Sequence, residues 1–276
     1  MQGKVCLITG ATSGIGKEIA RGLSKLGATV IIVGRSREKC ESAVQEINSA
    51  SYFMADLSSQ AEVRKMAAEF SSRYDRLDVL LNNAGVFLAG RKVTVDDIEY
   101  TFAVNHLAPF LLTNLLLDKL KASASSRIIT TSSMAHESGH IDFGDIQFEK
   151  RRYSGISAYS QSKLANILFT RELARRLAGT QATANCFHPG AVKTNLVHGS
   201  SIYSLVWRAA GAFFIGPEKG ADTAIYLASS DEVAGVTGAY FVKRRQERPF
   251  DASYDEQAAK LWELSEELTG LKPITP

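Results

Sequence analysis

The sequence predicts an α/β fold in which about seven strands form one doubly wound parallel sheet flanked by helices. Two observations carry this reading. Short β-branched runs alternate with longer helical stretches along the chain, and most of those runs are continuously apolar, as strands covered on both faces are. No glycine–serine linker or internal repeat divides the sequence, so residues 1–276 read as a single domain.

Taken in order, the predicted strands are Val5–Thr9, Thr29–Val33, Tyr52–Ala55, Val79–Asn82, Arg127–Thr131, Thr183–Phe187 and Ala239–Val242. Between them, helical periodicity runs over Gly14–Lys25, Arg37–Asn48, Gln60–Tyr74, Val95–Lys121, Ser157–Ala178, Pro217–Ser229 and Ser253–Thr269. Pro217 followed by Glu218 is a favourable helix start. The segment 191–216 breaks the rhythm with Leu196, Tyr203, Trp207, Phe213 and Phe214 and no strand, which suggests an apolar lid over a substrate pocket.

Hydrophobic residues make up 45% and charged residues 22%, enough for a sizeable core. The net charge of +3 gives no argument for a nucleic-acid partner. Three widely separated cysteines, Cys6, Cys40 and Cys186, fit neither a disulfide framework nor a metal site. His136 and His140 are one helical turn apart but have no third ligand nearby, so no metal is expected. There is no signal peptide and no run of eighteen apolar residues. The expected location is therefore cytoplasmic or peripheral to a membrane.

The first strand runs into Gly10-Ala11-Thr12-Ser13-Gly14-Ile15-Gly16, and a helix follows. Glycines placed there let the backbone turn tightly and approach a pyrophosphate, whose charge meets the helix N-terminus. That makes the fold Rossmann-type, with Gly10, Ser13, Gly14, Ile15 and Gly16 as phosphate-binding candidates. An acidic residue after the second strand would select a free ribose 2′-hydroxyl. Arg35 stands there instead, with Lys39 nearby, and a guanidinium suits a 2′-phosphate. NADP is the expected cofactor and NAD the less favoured one.

Tyr159 and Lys163 are four apart on a predicted helix and project from one face. An ammonium beside a phenol lowers the phenol's pKa and suits it to exchange a proton with a carbonyl or alcohol oxygen. Ser133 lies just past the C-terminal end of the predicted strand Arg127–Thr131, where hydroxyls face the ligand crevice.

With these pieces in order, the chain resembles the short-chain dehydrogenase/reductase superfamily over nearly its whole length. Further matches are Asp56-Leu57, Asn82-Asn83-Ala84-Gly85, Asn105 and Pro189-Gly190. The resemblance implies that Asp56 and Leu57 lie near the adenine and that Asn83, Ala84 and Gly85 line the cofactor. It further implies that Asn105 positions a relay water and Ser133 orients the carbonyl. Tyr159 would be the acid/base, Lys163 would bind the nicotinamide ribose, and Pro189, Gly190, Val192 and Thr194 would border the nicotinamide. Asn82 and Asp56 could equally serve as turn or cap residues, and His188 reads as structural.

Ser133 and Tyr159 are 26 residues apart, a long insert that resembles the retinol dehydrogenase subgroup. So do Asn105-His106-Leu107, Ser162-Lys163-Leu164-Ala165-Asn166 and His188-Pro189-Gly190. The resemblance implies hydride transfer between nicotinamide and a small lipophilic aldehyde, ketone or alcohol, retinal or retinol among them. A homo-oligomer is compatible with it. The competing readings are reduction of a carbon–carbon double bond on the same fold, as in protochlorophyllide reductase, and a non-catalytic NADP-binding regulator.

Overall fold

Seven strands run parallel and an eighth runs antiparallel in the computed structural model, which describes residues 1–47, 50–192, 215–247 and 253–272. The strands are β1 (Val5–Thr9), β2 (Thr29–Gly34), β3 (Ala50–Met54), β4 (Val79–Asn82), β5 (Arg127–Thr131), β6 (Thr183–His188), β7 (Tyr240–Val242) and β8 (Arg245–Glu247). Their spatial order is β3-β2-β1-β4-β5-β6-β7-β8. The winding reverses between β1 and β4, and a doubly wound sheet opens its ligand crevice at the C-terminal strand ends beside that reversal.

Alternate residues of the central strands feed two cores. Leu7, Ile31, Leu80 and Ile128 pack with Phe70, Phe110 and Phe169 on one face, and Cys6, Ile8, Ile32 and Leu81 pack with Ile19, Leu23 and Leu227 on the other. This is why the strands read as unbroken apolar runs. The helices are α1 (Gly14–Lys25), α2 (Arg37–Ile47), α3 (Gln60–Arg73), α4 (Tyr100–Phe102), α5 (Ala108–Leu115), α6 (Leu117–Lys121), α7 (Gly155–Arg176), α8 (Pro217–Ser229) and α9 (Ser253–Thr269). Helix α9 places Ala258, Leu261 and Trp262 on one buried stripe, and Trp262 stacks on Phe169 with centroids 5.9 Å apart.

Two elements differ from the sequence reading. The eighth strand follows a two-residue turn in which Lys243 and Arg244 both take positive φ, 50° and 63°. Such hairpin turns usually use glycine or asparagine, so this one carried no signal. Arg244 is held there by an ion pair to Asp222 and by its N–H to Thr223 Oγ1 at 3.2 Å.

The stretch read as one helix from Val95 starts only at Tyr100. Asp97 sits at φ 57° in the preceding turn, and Glu99 caps the helix by accepting from Thr101 N (2.9 Å) and Phe102 N (2.7 Å). The helix then widens into a π turn over Ala103–Leu107 before α5. Pro109 has no N–H to offer the Asn105 carbonyl four residues back, so an ordinary α-helical ladder is interrupted here.

The long insert after β5 starts with a 3₁₀ turn, Met134–Ser138, and buries Ile141, Ile146 and Phe148. It is tied to the α4 cap: Gln147 Oε1 accepts from Glu99 N at 2.9 Å, and Tyr153 donates to the fully buried Glu99 carboxylate at 3.1 Å. Burial and the neighbouring Glu99 charge hold the Tyr153 phenol protonated, well above its ordinary pKa. Tyr153→Phe removes one donor from that buried carboxylate and is expected to lower the unfolding free energy by about 1–3 kcal/mol. A thermal melt superimposable on that of the wild type would contradict this anchoring role.

Candidate active site

At the reversal point the turns after β1 and β4 are sewn together. Thr9 Oγ1 accepts from Asn83 N (3.0 Å) and Ala84 N (3.1 Å), and Asn83 Nδ2 donates to the Thr9 carbonyl at 3.0 Å. Gly10, at φ +67°, lies so close that a Cβ there would stand 2.8 Å from the Ala84 Cα. Only glycine fits that approach. Helix α1 starts from this turn with no acidic residue in its first turn and no side-chain cap from Ser13. Its N-terminal amides and dipole therefore face the crevice free for an anion, which fits the pyrophosphate of a dinucleotide.

Beyond β2, Arg35 is exposed and donates from Nη1 to the Tyr100 hydroxyl at 3.2 Å. Arg37 is engaged elsewhere, with Tyr52 at 3.2 Å and Glu41 at 3.9 Å, and behaves as a surface charge. Asp56 Oδ1 accepts from Ser58 N (2.9 Å) and Ser58 Oγ (2.8 Å), so this carboxylate shapes a turn at the crevice edge. Asn82 is structural, its Nδ2 donating to Thr113 Oγ1 at 3.1 Å beneath the sheet.

At the other end Ser133 caps the 3₁₀ turn, its Oγ accepting from Ala135 N at 3.2 Å, and it is hydrogen-bonded to Tyr159. Lys163 is 2% exposed and donates from Nζ to the Thr131 carbonyl at 3.1 Å; Nζ lies 5.5 Å from the Tyr159 ring centre. Asn105, on the π turn, is wholly buried. Its Oδ1 accepts from Val86 N at 2.8 Å, and its Nδ2 donates to the Val86 carbonyl at 3.0 Å and Ser162 Oγ at 2.9 Å. Ser162 in turn donates to the Tyr159 carbonyl at 2.7 Å. Asn105 thus ties the segment that follows Gly85 to helix α7.

The electrostatics depart from the sequence expectation. Burial pushes the Tyr159 phenol up to about 12, and the hydrogen bond from Ser133 only partly opposes this. Burial also pulls Lys163 down to about 8; among the described residues its ammonium donates to the neutral Thr131 carbonyl, which carries no charge to oppose this. Desolvation, not the ammonium, decides the phenol's state in this structure. The phenol is protonated at neutral pH and ready to donate.

One cleft of about 1400 Å³ joins the two ends. Of the residues singled out in the sequence, Gly10, Ser13, Gly14, Ile15, Gly16, Arg35, Lys39, Asp56, Leu57, Asn83, Ala84, Gly85, Ser133, Tyr159, Lys163, Pro189, Gly190 and Val192 line it. Asn105 stands behind the lining, and Thr194 with most of the expected lid lies outside the described residues. The sequence reading missed Thr12 and Ser36 at the phosphate end and an apolar wall of Val86, Phe87, Met134 and Ile156 at the other. Phe87 meets Tyr159 edge-on at 5.9 Å, and Met134 and Ile156 stay more than half exposed at the mouth. An apolar pair directly after Asn83-Ala84-Gly85 was the available signal.

The two histidines one helical turn apart, His136 and His140, have different surroundings. His140 is exposed, whereas His136 is buried with Nδ1 2.6 Å from the Ser133 carbonyl and its ring edge-on to Tyr240 at 4.9 Å. His188 lines the cleft and is held neutral by burial, then by His136 and Lys163, with its pKa near 4.

A parallel sheet with this strand order, a glycine turn at the reversal point and a serine–tyrosine–lysine cluster across the cleft define an oxidoreductase of the nicotinamide-binding kind. The chain belongs to the short chain dehydrogenase family, whose profile matches residues 4–202. Among curated proteins it is 44% identical to human (Homo sapiens) retinol dehydrogenase 13, covering 98% of this chain and 86% of that protein. It is 45% identical to human retinol dehydrogenase 14, covering 98% and 88%. Among solved structures, an uncharacterised protein from Mycobacterium Paratuberculosis superposes with a TM-score of 0.80 at 36% identity, over 99% of this chain and 96% of that one. A short chain dehydrogenase from Burkholderia cenocepacia in complex with NADP superposes with a TM-score of 0.70 at 28% identity, over 87% and 96%. The resemblance to the retinol dehydrogenase subgroup is thus borne out. No helix among the described residues is long and apolar enough to cross a membrane.

The displaced lysine gives a test that needs no substrate. Between pH about 8 and 10.5 the folded chain holds fewer protons on Lys163 than the unfolded chain does, so this group makes stability rise with pH across that window. Lys163→Met is expected to remove that rise, on the order of 3 kcal/mol, when denaturant midpoints are compared at the two ends of the window. An identical pH slope in the variant would show that Lys163 is not its source.

Proposed function

We propose that this chain is an NADP(H)-dependent oxidoreductase moving a hydride between the nicotinamide and a lipophilic aldehyde or ketone, or the matching alcohol. The observation that carries the proposal is the placement of Ser133, Tyr159 and Lys163 at one end of a cleft whose other end is the glycine turn and Arg35. Retinol dehydrogenases 13 and 14, named for a lipophilic alcohol, are close enough in sequence to support the substrate class. The NADP complex of the Burkholderia relative supports the cofactor, as does Arg35 where an acid would select NAD.

The residues present fit the dinucleotide. The α1 N-terminus and glycine turn would hold the pyrophosphate, Arg35 and Lys39 the 2′-phosphate, and Asp56 and Leu57 would border the adenine. Asn83, Ala84, Gly85, Pro189, Gly190 and Val192 would border the remainder. When bound, NADPH supplies the hydride. Ser133 donates a hydrogen bond to the substrate oxygen and fixes it beside Tyr159. Tyr159, protonated at neutral pH, delivers its proton to that oxygen as negative charge develops there. Lys163 stabilises the resulting phenolate once an anionic ligand in the cleft favours its ammonium form. Asn105 holds the Val86 segment beyond β4 and helix α7 together, so that the phenol keeps its place. Val86, Phe87, Met134 and Ile156 exclude water and take the apolar body of the substrate.

Tyr159→Phe is expected to lower kcat by about 10²–10⁴-fold while NADPH binding, followed by fluorescence, is nearly unchanged. Retention of most activity would remove Tyr159 from the acid/base role. Arg35→Asp is expected to reverse the preference from NADPH to NADH in steady-state assays with both cofactors, and an unaltered preference would take Arg35 out of the 2′-phosphate site.

A further inference from the structure

We infer that Tyr100 is a positioning residue for NADP selection, its hydroxyl holding the Arg35 guanidinium at the rim of the cleft. The inference rests on the NADP reading above and deepens it. Three basic side chains follow β2, and they are not equivalent. Arg37 is engaged by Tyr52 and Glu41, and Lys39 lines the cleft from α2. Arg35 reaches across 65 residues of sequence to the Tyr100 hydroxyl at 3.2 Å, and among the described residues it forms no ion pair with a carboxylate.

The partner type matters. A carboxylate in that place would neutralise the guanidinium and take two of its donors. A phenol oxygen accepts one N–H and leaves the charge and the other donors for a ligand, while keeping its own proton to donate. Tyr100 is also well founded. Glu99, Thr101 and Phe102 around it are buried, the Glu99 carboxylate caps its helix, and Val104, one turn further on, lines the cleft. Arg35 stands on an exposed turn, and an unheld arginine loses much rotamer freedom when it binds. The rigid phenol removes part of that loss in advance, and only for a ligand that uses the guanidinium. A ribose with a bare 2′-hydroxyl gains little.

The test is titration calorimetry of the full chain with 2′,5′-ADP and with 5′-AMP, which differ only by the 2′-phosphate. The proteins are the wild type, Tyr100→Phe, Arg35→Ala and the double variant. Tyr100→Phe is expected to weaken 2′,5′-ADP about three- to tenfold and leave 5′-AMP unchanged, the latter reporting an intact site. If Tyr100 acts through Arg35, the double variant binds 2′,5′-ADP no more weakly than Arg35→Ala does. Wild-type affinity in Tyr100→Phe, equal loss of both probes, or full additivity in the double variant would each overturn the inference. A wild type without preference for 2′,5′-ADP would overturn the NADP reading itself. A preference abolished by Arg35→Ala but untouched by Tyr100→Phe would leave that reading standing and remove Tyr100 alone.

Discussion

The contact between the two turns that end β1 and β4 sets where everything else in the site can stand. With Gly10 against Ala84 and the Thr9 hydroxyl taking two amides from the facing turn, the two turns meet in direct contact. That closeness brings the N-terminus of α1 to the rim of the sheet. It also fixes the start of the Val86–Phe87 segment, which Asn105 then clamps from behind. A larger residue at position 10 would push the β4 turn away, and the glycine turn and the apolar wall of the cleft would separate together. One close approach thus links two halves that are chemically unrelated.

The catalytic end is governed by dehydration. Tyr159 and Lys163 are both displaced toward their neutral forms, the phenol upward and the amine downward, because the low-dielectric pocket penalises either charge. The protein alone therefore holds a proton on the phenol and only a weakly favoured one on the lysine. Under the proposed function, an anionic ligand filling the same cleft would shift the balance toward the ammonium. His188, kept neutral beside Lys163, adds no competing positive charge at neutral pH.

Features written in local pattern were legible in the sequence. The glycine turn, the serine at the end of β5 and the i,i+4 tyrosine–lysine pair all depend on spacing within one element, and the structure brings them to one cleft. Features that depend on distant contacts were not legible. The burial of His136 rests on Tyr240, a neighbour supplied by β7, and the hold on Arg35 rests on a tyrosine 65 residues away in sequence. The late start of the helix at Tyr100 was hidden because Val95, Asp96 and Asp97 resemble an acidic first turn, while Asp97 adopts positive φ. The β8 hairpin was hidden for a similar reason, its turn being built from Lys243 and Arg244 where glycine or asparagine is usual.

The central claim is that a nicotinamide and a carbonyl meet across this cleft beside Tyr159. The most direct measurement is a turnover with NADPH deuterated at the transferable position of C4 and retinal as substrate, the product being read by mass spectrometry and NMR. The account predicts retinol with a single deuterium on the carbon that bears the new hydroxyl. Deuterium on a former double-bond carbon, or a product alcohol without label, would contradict it.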